Sequence, residues 1–217
     1  MIYYLTRSLS ILLLKLFFRF EVRGEGQVPP QGGVILASNH QSFIDPLLVG
    51  CGTTKRPVHF MARESLFRGL WGWYLSRLNS FPVKRGGADR GAWRHFEELV
   101  ASGKLVSFFP EGTRSPDGNL QKANAGSGML IHRCKGAVVV PARVFGTFDV
   151  MPRHKFFGGF HKVGVAYGPP LDLDEEFSRE GSREVYEAIS DKIMAAIAKL
   201  SLQSGEQPAP EGAAKNQ

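Results

Sequence analysis

A single α/β domain, with a mixed, largely parallel central sheet flanked by helices, is the fold this sequence predicts. Three observations point to it. The 217 residues are enough for one full core and too few for two comfortable ones. Short apolar runs alternate with helical patterns from Phe20 onward. Polar and glycine-rich clusters follow several of those runs, as they do at the carboxyl ends of strands in open α/β sheets.

The elements follow in order. Gly33–Ser38 reads as a buried strand, with a helix beginning near Pro46. Asp45 precedes that proline, so it is pushed out of helical geometry and is expected to cap the helix, with Pro46 in its first position. Pro57–Met61 is a short strand and 64–78 an aromatic helical segment containing Trp71, Trp73, Tyr74 and Leu78. Phe81–Lys84 is a strand. Over 89–102 a helix is predicted, with Asp89 as cap, Trp93, Phe96, Leu99 and Val100 on one face, and Gly103 as its stop. Leu105–Phe109 is a buried strand, 125–134 a helix, and Ala137–Pro141 and His161–Tyr167 strands. Residues 182–200 form an amphipathic helix with Tyr186, Ile189, Ile193, Ile197 and Leu200 on one side. The domain reading is 1–20 as a membrane-anchoring helix, 21–202 as the main domain and 203–217 as a disordered tail rich in Pro, Gly, Gln and Ala.

Charge is unevenly spread. Residues 1–170 hold 22 Lys and Arg against 10 Asp and Glu, whereas 171–200 hold 4 against 8. A basic body favours anionic partners: nucleic acid, anionic headgroups or phosphate-bearing substrates. Nucleic acid is set aside, because the aromatics lie in apolar, core-like segments rather than exposed polar loops. Two cysteines, Cys51 and Cys134, provide no disulfide framework and no metal spacing, which fits a reducing compartment.

Met1–Phe20 is mostly Leu, Ile, Phe and Tyr, interrupted by Arg7, Lys15 and Arg19. At about 100° per residue, Arg7, Ser8, Lys15 and Arg19 fall within about a third of a helical wheel. The charge-free stretch is far short of the ~20 residues needed to span a bilayer. A signal peptide is a rival, but Lys15 and Arg19 interrupt the apolar run and no small-residue cleavage site follows. The expectation is a helix lying on the cytoplasmic face of the membrane, with a buried packing helix or a spanning signal as alternatives.

Three clusters carry chemistry. In Asn39-His40-Gln41-Ser42-Phe43-Ile44-Asp45-Pro46, five residues rotate a regular helix by ~500°, so His40 and Asp45 share no helix face and the segment must turn. A histidine oriented by a carboxylate is a general base, whereas Asp45 as a cap alone is the plain alternative. A metal site lacks a third or fourth ligand nearby. Phe109-Pro110-Glu111-Gly112-Thr113-Arg114 ends another buried strand, where Gly112 admits a ligand to the backbone and Arg114 can grip phosphate. Phe81-Pro82-Val83-Lys84-Arg85-Gly86-Gly87 sets adjacent cations ahead of a helix, an anion site or a solvated basic turn.

Those blocks, with Val139-Val140-Pro141, occur in the order and spacing of the glycerolipid (lysophospholipid) acyltransferases. The chain resembles that family, in its 1-acylglycerol-3-phosphate acyltransferase branch, over roughly residues 20–170. The resemblance implies His40 as base with Asp45 its partner, Arg85 with Lys84 on the acceptor's phosphate, and Glu111, Gly112, Thr113 and Arg114 at the acceptor. The fourth block would lie on the acyl side. Two departures are Asn79, where such proteins often carry glycine, and Gln121-Lys122-Ala123-Asn124, where Phe-Lys-x-Gly is common. The implied reaction takes a fatty acyl group from acyl-CoA or an acyl carrier protein to lysophosphatidic acid, giving phosphatidic acid in phospholipid synthesis. No other cofactor or metal is expected. Another lysolipid, glycerol 3-phosphate, hydrolysis, or a non-catalytic peripheral membrane protein stay as alternatives. So does a covalent route through Ser42. The basic residues Arg143, Arg153, Lys155 and Lys162 would suit either anionic donor. Donor, chain length and oligomeric state are not legible.

Overall fold

The computed structural model describes residues 1–53, 56–84, 89–152 and 155–202. Val34–Ser38 (β2) is apolar and buried at every position, as a central parallel strand covered on both faces must be. It lies fourth in a seven-stranded sheet ordered β1-β7-β6-β2-β5-β3-β4, where β1 is Glu21–Arg23, β3 Val58–Arg63, β4 Ser80–Val83, β5 Leu105–Phe108, β6 Val138–Phe145 and β7 Gly164–Tyr167. All neighbouring strands run parallel except β6 and β7.

Alternation along β2 splits the core in two. Val34 and Leu36 point to one face and join Leu14, Leu48, Val49 and Tyr167, beneath helices Ile2–Phe18 (α1) and Asp45–Gly52 (α2). Ile35 and Ala37 point to the other, joining Phe96, Leu130, Ile189, Ile193 and Ile197. That face is covered by Arg90–Ala101 (α4), Ser127–Arg133 (α5) and Arg183–Lys199 (α8). Helix Gly69–Arg77 (α3) precedes β4; short helices Thr147–Val150 (α6) and Asp174–Ser178 (α7) complete the described chain.

Several expected signals act as anticipated. Asp89 caps α4 by accepting from the Gly91 and Ala92 amides, both at 3.1 Å. Gly103, at φ 76, turns the chain after it. Helices α5 and α8 meet so closely that a Cβ on Gly128 would lie 1.8 Å from the Tyr186 carbonyl oxygen. Other features differ from expectation. Strand β6 runs past Pro141 to Phe145, and β7 joins its ladder only from Ala142. Strand β1 has no apolar alternation to announce it. On α1, Arg7 turns inward and donates to the Gly50 and Cys51 carbonyls at the end of α2, at 3.1 and 3.2 Å. Bonding to the carbonyls that a buried helix end leaves without helical partners outweighs solvation there, so the polar stripe read on the wheel divides, with Ser8, Lys15 and Arg19 left exposed. The aromatics are not all core-like either: Trp71, Trp73, Phe156 and Phe160 are exposed. The expected tail, 203–217, lies outside the described residues.

Candidate active site

The register Ala37↔Phe108 sets the ends of β2 and β5 side by side, so the loops that follow them meet. Asn39 fixes the first loop. Its buried amide donates to the Val144 carbonyl at 3.2 Å and accepts from the Val144 amide at 2.8 Å, tying it to β6. His40 comes next, and its Nδ1 lies 2.8 Å from Asp45 Oδ2. A carboxylate only accepts, so Nδ1 carries the proton and Nε2 keeps its lone pair.

Asp45 does not cap α2 as expected. Ile44 occupies the cap position in helical geometry, and Asp45 is already the first helical residue. Its fully buried carboxylate turns back over the loop, and Oδ2 also accepts from the Gln41 amide at 2.6 Å and the Ser42 amide at 2.7 Å. Two amides and an imidazole N–H are therefore gathered on one anionic oxygen, each a charge-assisted bond. The other oxygen, Oδ1, is buried with no partner among the described residues.

The loop after β5 clamps the histidine. The Phe109 ring stacks on the imidazole with centroids 4.3 Å apart and planes at 25°. The Ser115 amide donates to the His40 carbonyl at 2.7 Å. The His40 amide donates to Glu111 Oε1 at 3.4 Å. Glu111 is only 5% exposed. Burial pushes its carboxyl up to about 7, the nearby Asp45 charge adds to the rise, and the His40 and Gln121 amides oppose it.

His40 opens onto a cavity of about 1290 Å³, larger than the usual ~300–1000 Å³ of a drug-sized site. Gly112, Thr113, Arg114 and Lys84 line it beside His40 and Phe109. Its remaining wall is largely apolar: Ile44 and Leu47 from the start of α2, Phe60 and Met61 from β3, Trp71 and Leu75 from α3. Tyr3, Thr6 and Arg7 of α1 supply a polar patch. Glu111 does not reach this wall; it lies under the loop whose next three residues do. Arg85 falls outside the described residues. Among the described residues, no group of three or more His, Cys, Asp or Glu side chains is placed to hold a metal.

Both departures from the family pattern have a local account. Asn79 sits at φ 59, the left-handed region that glycine adopts freely and asparagine tolerates best of the other residues. Asn124 anchors its segment with its own amide on the Pro110 carbonyl at 2.7 Å and its side chain accepting from Gly126 at 3.0 Å. Groups for a covalent route are poorly placed. The Ser42 hydroxyl is buried and donates to the Met151 carbonyl at 2.8 Å. Burial pushes both cysteine thiols up to about 12. The basic set read as a donor site also separates. Arg143 donates to the Ala198 and Leu200 carbonyls at the end of α8, and Lys162 pairs with Glu21 at 2.8 Å. Arg153 lies outside the described residues, and neither Lys155 nor the other two lines the cavity.

The model of the Acyltransferase family matches residues 19–144. A 1-acyl-sn-glycerol-3-phosphate acyltransferase of Bacillus subtilis is 26% identical over 190 residues, spanning 87% of this chain and 92% of that protein. The chloroplastic 1-acyl-sn-glycerol-3-phosphate acyltransferase BAT2 of Brassica napus is 33% identical over 141 residues, 63% of this chain but 40% of its own length. The crystal structure of the 1-acyl-sn-glycerophosphate acyltransferase PlsC from Thermotoga maritima superposes with a TM-score of 0.73 at 25% identity, over 92% of this chain and 80% of that one.

Proposed function

We propose that this chain, which belongs to the Acyltransferase family, transfers a fatty acyl group from a thioester to the free hydroxyl of lysophosphatidic acid, giving phosphatidic acid. One observation carries the reading: a histidine whose Nδ1–H is held by a buried carboxylate, on the wall of a large, mostly apolar cavity that Lys84 and Arg114 also line.

The chemistry follows from those positions. Asp45 holds the imidazole so that Nε2 serves as general base, and its charge stabilises the imidazolium that forms. As the glycerol oxygen attacks the thioester carbonyl, its proton passes to Nε2. The C–O bond forms, the C–S bond breaks, and the departing thiolate recovers the proton. A thiol of ordinary pKa ~8.5 leaves without a strong acid. Lys84 and Arg114 offer charge to the acceptor's phosphate, together with Arg85, the next residue in the sequence after Lys84. Gly112 and Thr113 border the acceptor, and Glu111 beneath them holds the amide of the base. The apolar part of the cavity takes acyl chains. The donor is acyl-CoA or an acyl carrier protein, both thioesters. Among the described residues no helix is long and apolar enough to cross a membrane; α1 lies on the membrane surface, where the acceptor resides.

The test is purified His40→Ala, assayed with both donors and a panel of lysolipids, with products identified by mass spectrometry. Loss of general-base catalysis lowers turnover about 10²–10⁴-fold while thermal unfolding stays unchanged. Near-normal turnover by the variant would overturn the assignment.

A further inference from the structure

Helix α1 turns part of its polarity inward. Thr6, Arg7 and Ser10 face the protein, while Leu5, Leu9, Leu12 and Leu16 stand 54–70% exposed along the outer side. A helix of a water-soluble surface shows the reverse. At its carboxyl end this apolar strip continues into the segment 155–162. Phe160 packs against Phe17 and Phe18, with centroids 5.6 and 5.4 Å apart, and Phe157 packs against Phe160 at 5.2 Å. Phe156 is 88% and Phe160 66% exposed.

The segment carrying these rings is held in place. The Gly158 amide donates to the Val150 carbonyl at 2.7 Å, and the Val163 amide to the Phe18 carbonyl at 3.0 Å. A Cβ on Gly158 would lie 1.9 Å from the Asp149 carbonyl oxygen, so only glycine allows this seating. The loop therefore presents three phenylalanines from a fixed base. Lys15, Arg19 and Lys155 are exposed too, Arg19 following Phe18 and Lys155 preceding Phe156 in the chain. Apolar centre and cationic rim match an anionic bilayer surface, into which rings insert while cations stay at headgroup level.

We propose that residues 155–162 are a second membrane anchor, continuous with the outer face of α1, with Phe156, Phe157 and Phe160 inserted in the bilayer. The proposal rests on the reading of this chain as a membrane-surface enzyme. None of the three rings lines the cavity, so the anchor acts on docking and not on the transfer step.

The full-length protein is compared with Phe156→Ser, Phe156→Ser/Phe160→Ser and, on α1, Leu9→Ser/Leu12→Ser. Each is co-sedimented with phosphatidylglycerol–phosphatidylcholine vesicles and run without lipid by analytical ultracentrifugation. Each removed ring weakens vesicle partition about tenfold, and the pair about a hundredfold. Turnover on a short-chain, monomerically dispersed lysophosphatidic acid and the unfolding temperature are unchanged. If the phenylalanine variants bind vesicles like the parent while the α1 variant does not, the anchor falls and the membrane reading survives. If no variant loses binding, both fall. A parent dimer that the double phenylalanine variant converts to monomer, with vesicle binding intact, makes the patch a self-interface and overturns the anchor.

Discussion

Replacing Asp45 by asparagine separates two jobs that its carboxylate combines. Oδ2 accepts from the His40 ring at 2.8 Å and from the Gln41 and Ser42 amides at 2.6 and 2.7 Å. An asparagine oxygen in the same place can still accept all three, with its NH₂ in the unpartnered Oδ1 position, so the loop keeps its shape. What disappears is the charge that faces the imidazolium. With charge centres ~4 Å apart and an effective dielectric near 20, that attraction is about 4 kcal/mol, or about a thousandfold in turnover at 1.36 kcal/mol per decade. Asp45→Ala loses the charge and the loop bonds together. We therefore expect Asp45→Asn to fall about 10³-fold in kcat with modest loss of stability, and Asp45→Ala to fall at least as far and unfold markedly earlier. The assay is free-thiol release from acyl-CoA with saturating acceptor, alongside a thermal melt. An asparagine variant within tenfold of the parent, beside an inactive alanine variant, would show that Asp45 only props the loop.

Glu111 and Gly128 extend the test to stability. Glu111 has its carboxyl raised to about 7, so the folded state binds that proton more tightly than the unfolded one. The stabilisation is complete below the ordinary 4.5 and is lost as pH rises through about 7, a change of about 3 kcal/mol. Urea unfolding at pH 5 and pH 8 therefore finds Glu111→Gln gaining on the parent at the higher pH; an equal difference at both sinks the account. Gly128→Ala drives a methyl to 1.8 Å from the Tyr186 carbonyl, between two helix backbones that cannot both hold position. The loss is about 3 kcal/mol or more, near 10 °C in unfolding temperature for a chain of this size. Gly26→Ala, with nothing within 4 Å, is the silent control.

Period and punctuation made most of the fold legible. The unbroken run Val34–Ser38 could only be a strand covered on both faces, and Asp89 and Gly103 marked the two ends of α4. His40 and Asp45 stood out through the resemblance of Asn39-His40-x4-Asp45 to the acyltransferase motif; the spacing alone showed only that the segment must turn. The direction of the Asp45 carboxylate was not legible. Propensity places such an aspartate at a cap, and only the tertiary loop brings three donors to the side facing away from the helix. The inward turn of Arg7 was hidden for the same reason, since its acceptors belong to residues 43 and 44 positions further along. Glu111 was grouped with Gly112, Thr113 and Arg114 at the acceptor, and nothing local distinguishes it from them. Its burial follows from the His40 backbone lying above it.

The pin between Asn39 and Val144 has a bearing on how the chain is made. These residues are 105 positions apart, and β2 has no partner until β5 and β6 exist. At 5–20 residues per second, ribosomal synthesis takes roughly 5–20 seconds between the two. For that interval the nascent chain carries His40 just beyond a strand with empty flanks, while the leucine face of α1 is already outside. On the proposed reading, contact of α1 with a lipid surface precedes assembly of the His40 loop. Any chain stopped short of residue 144 lacks the backbone partners that fix Asn39, and with them the hold on the loop that carries His40.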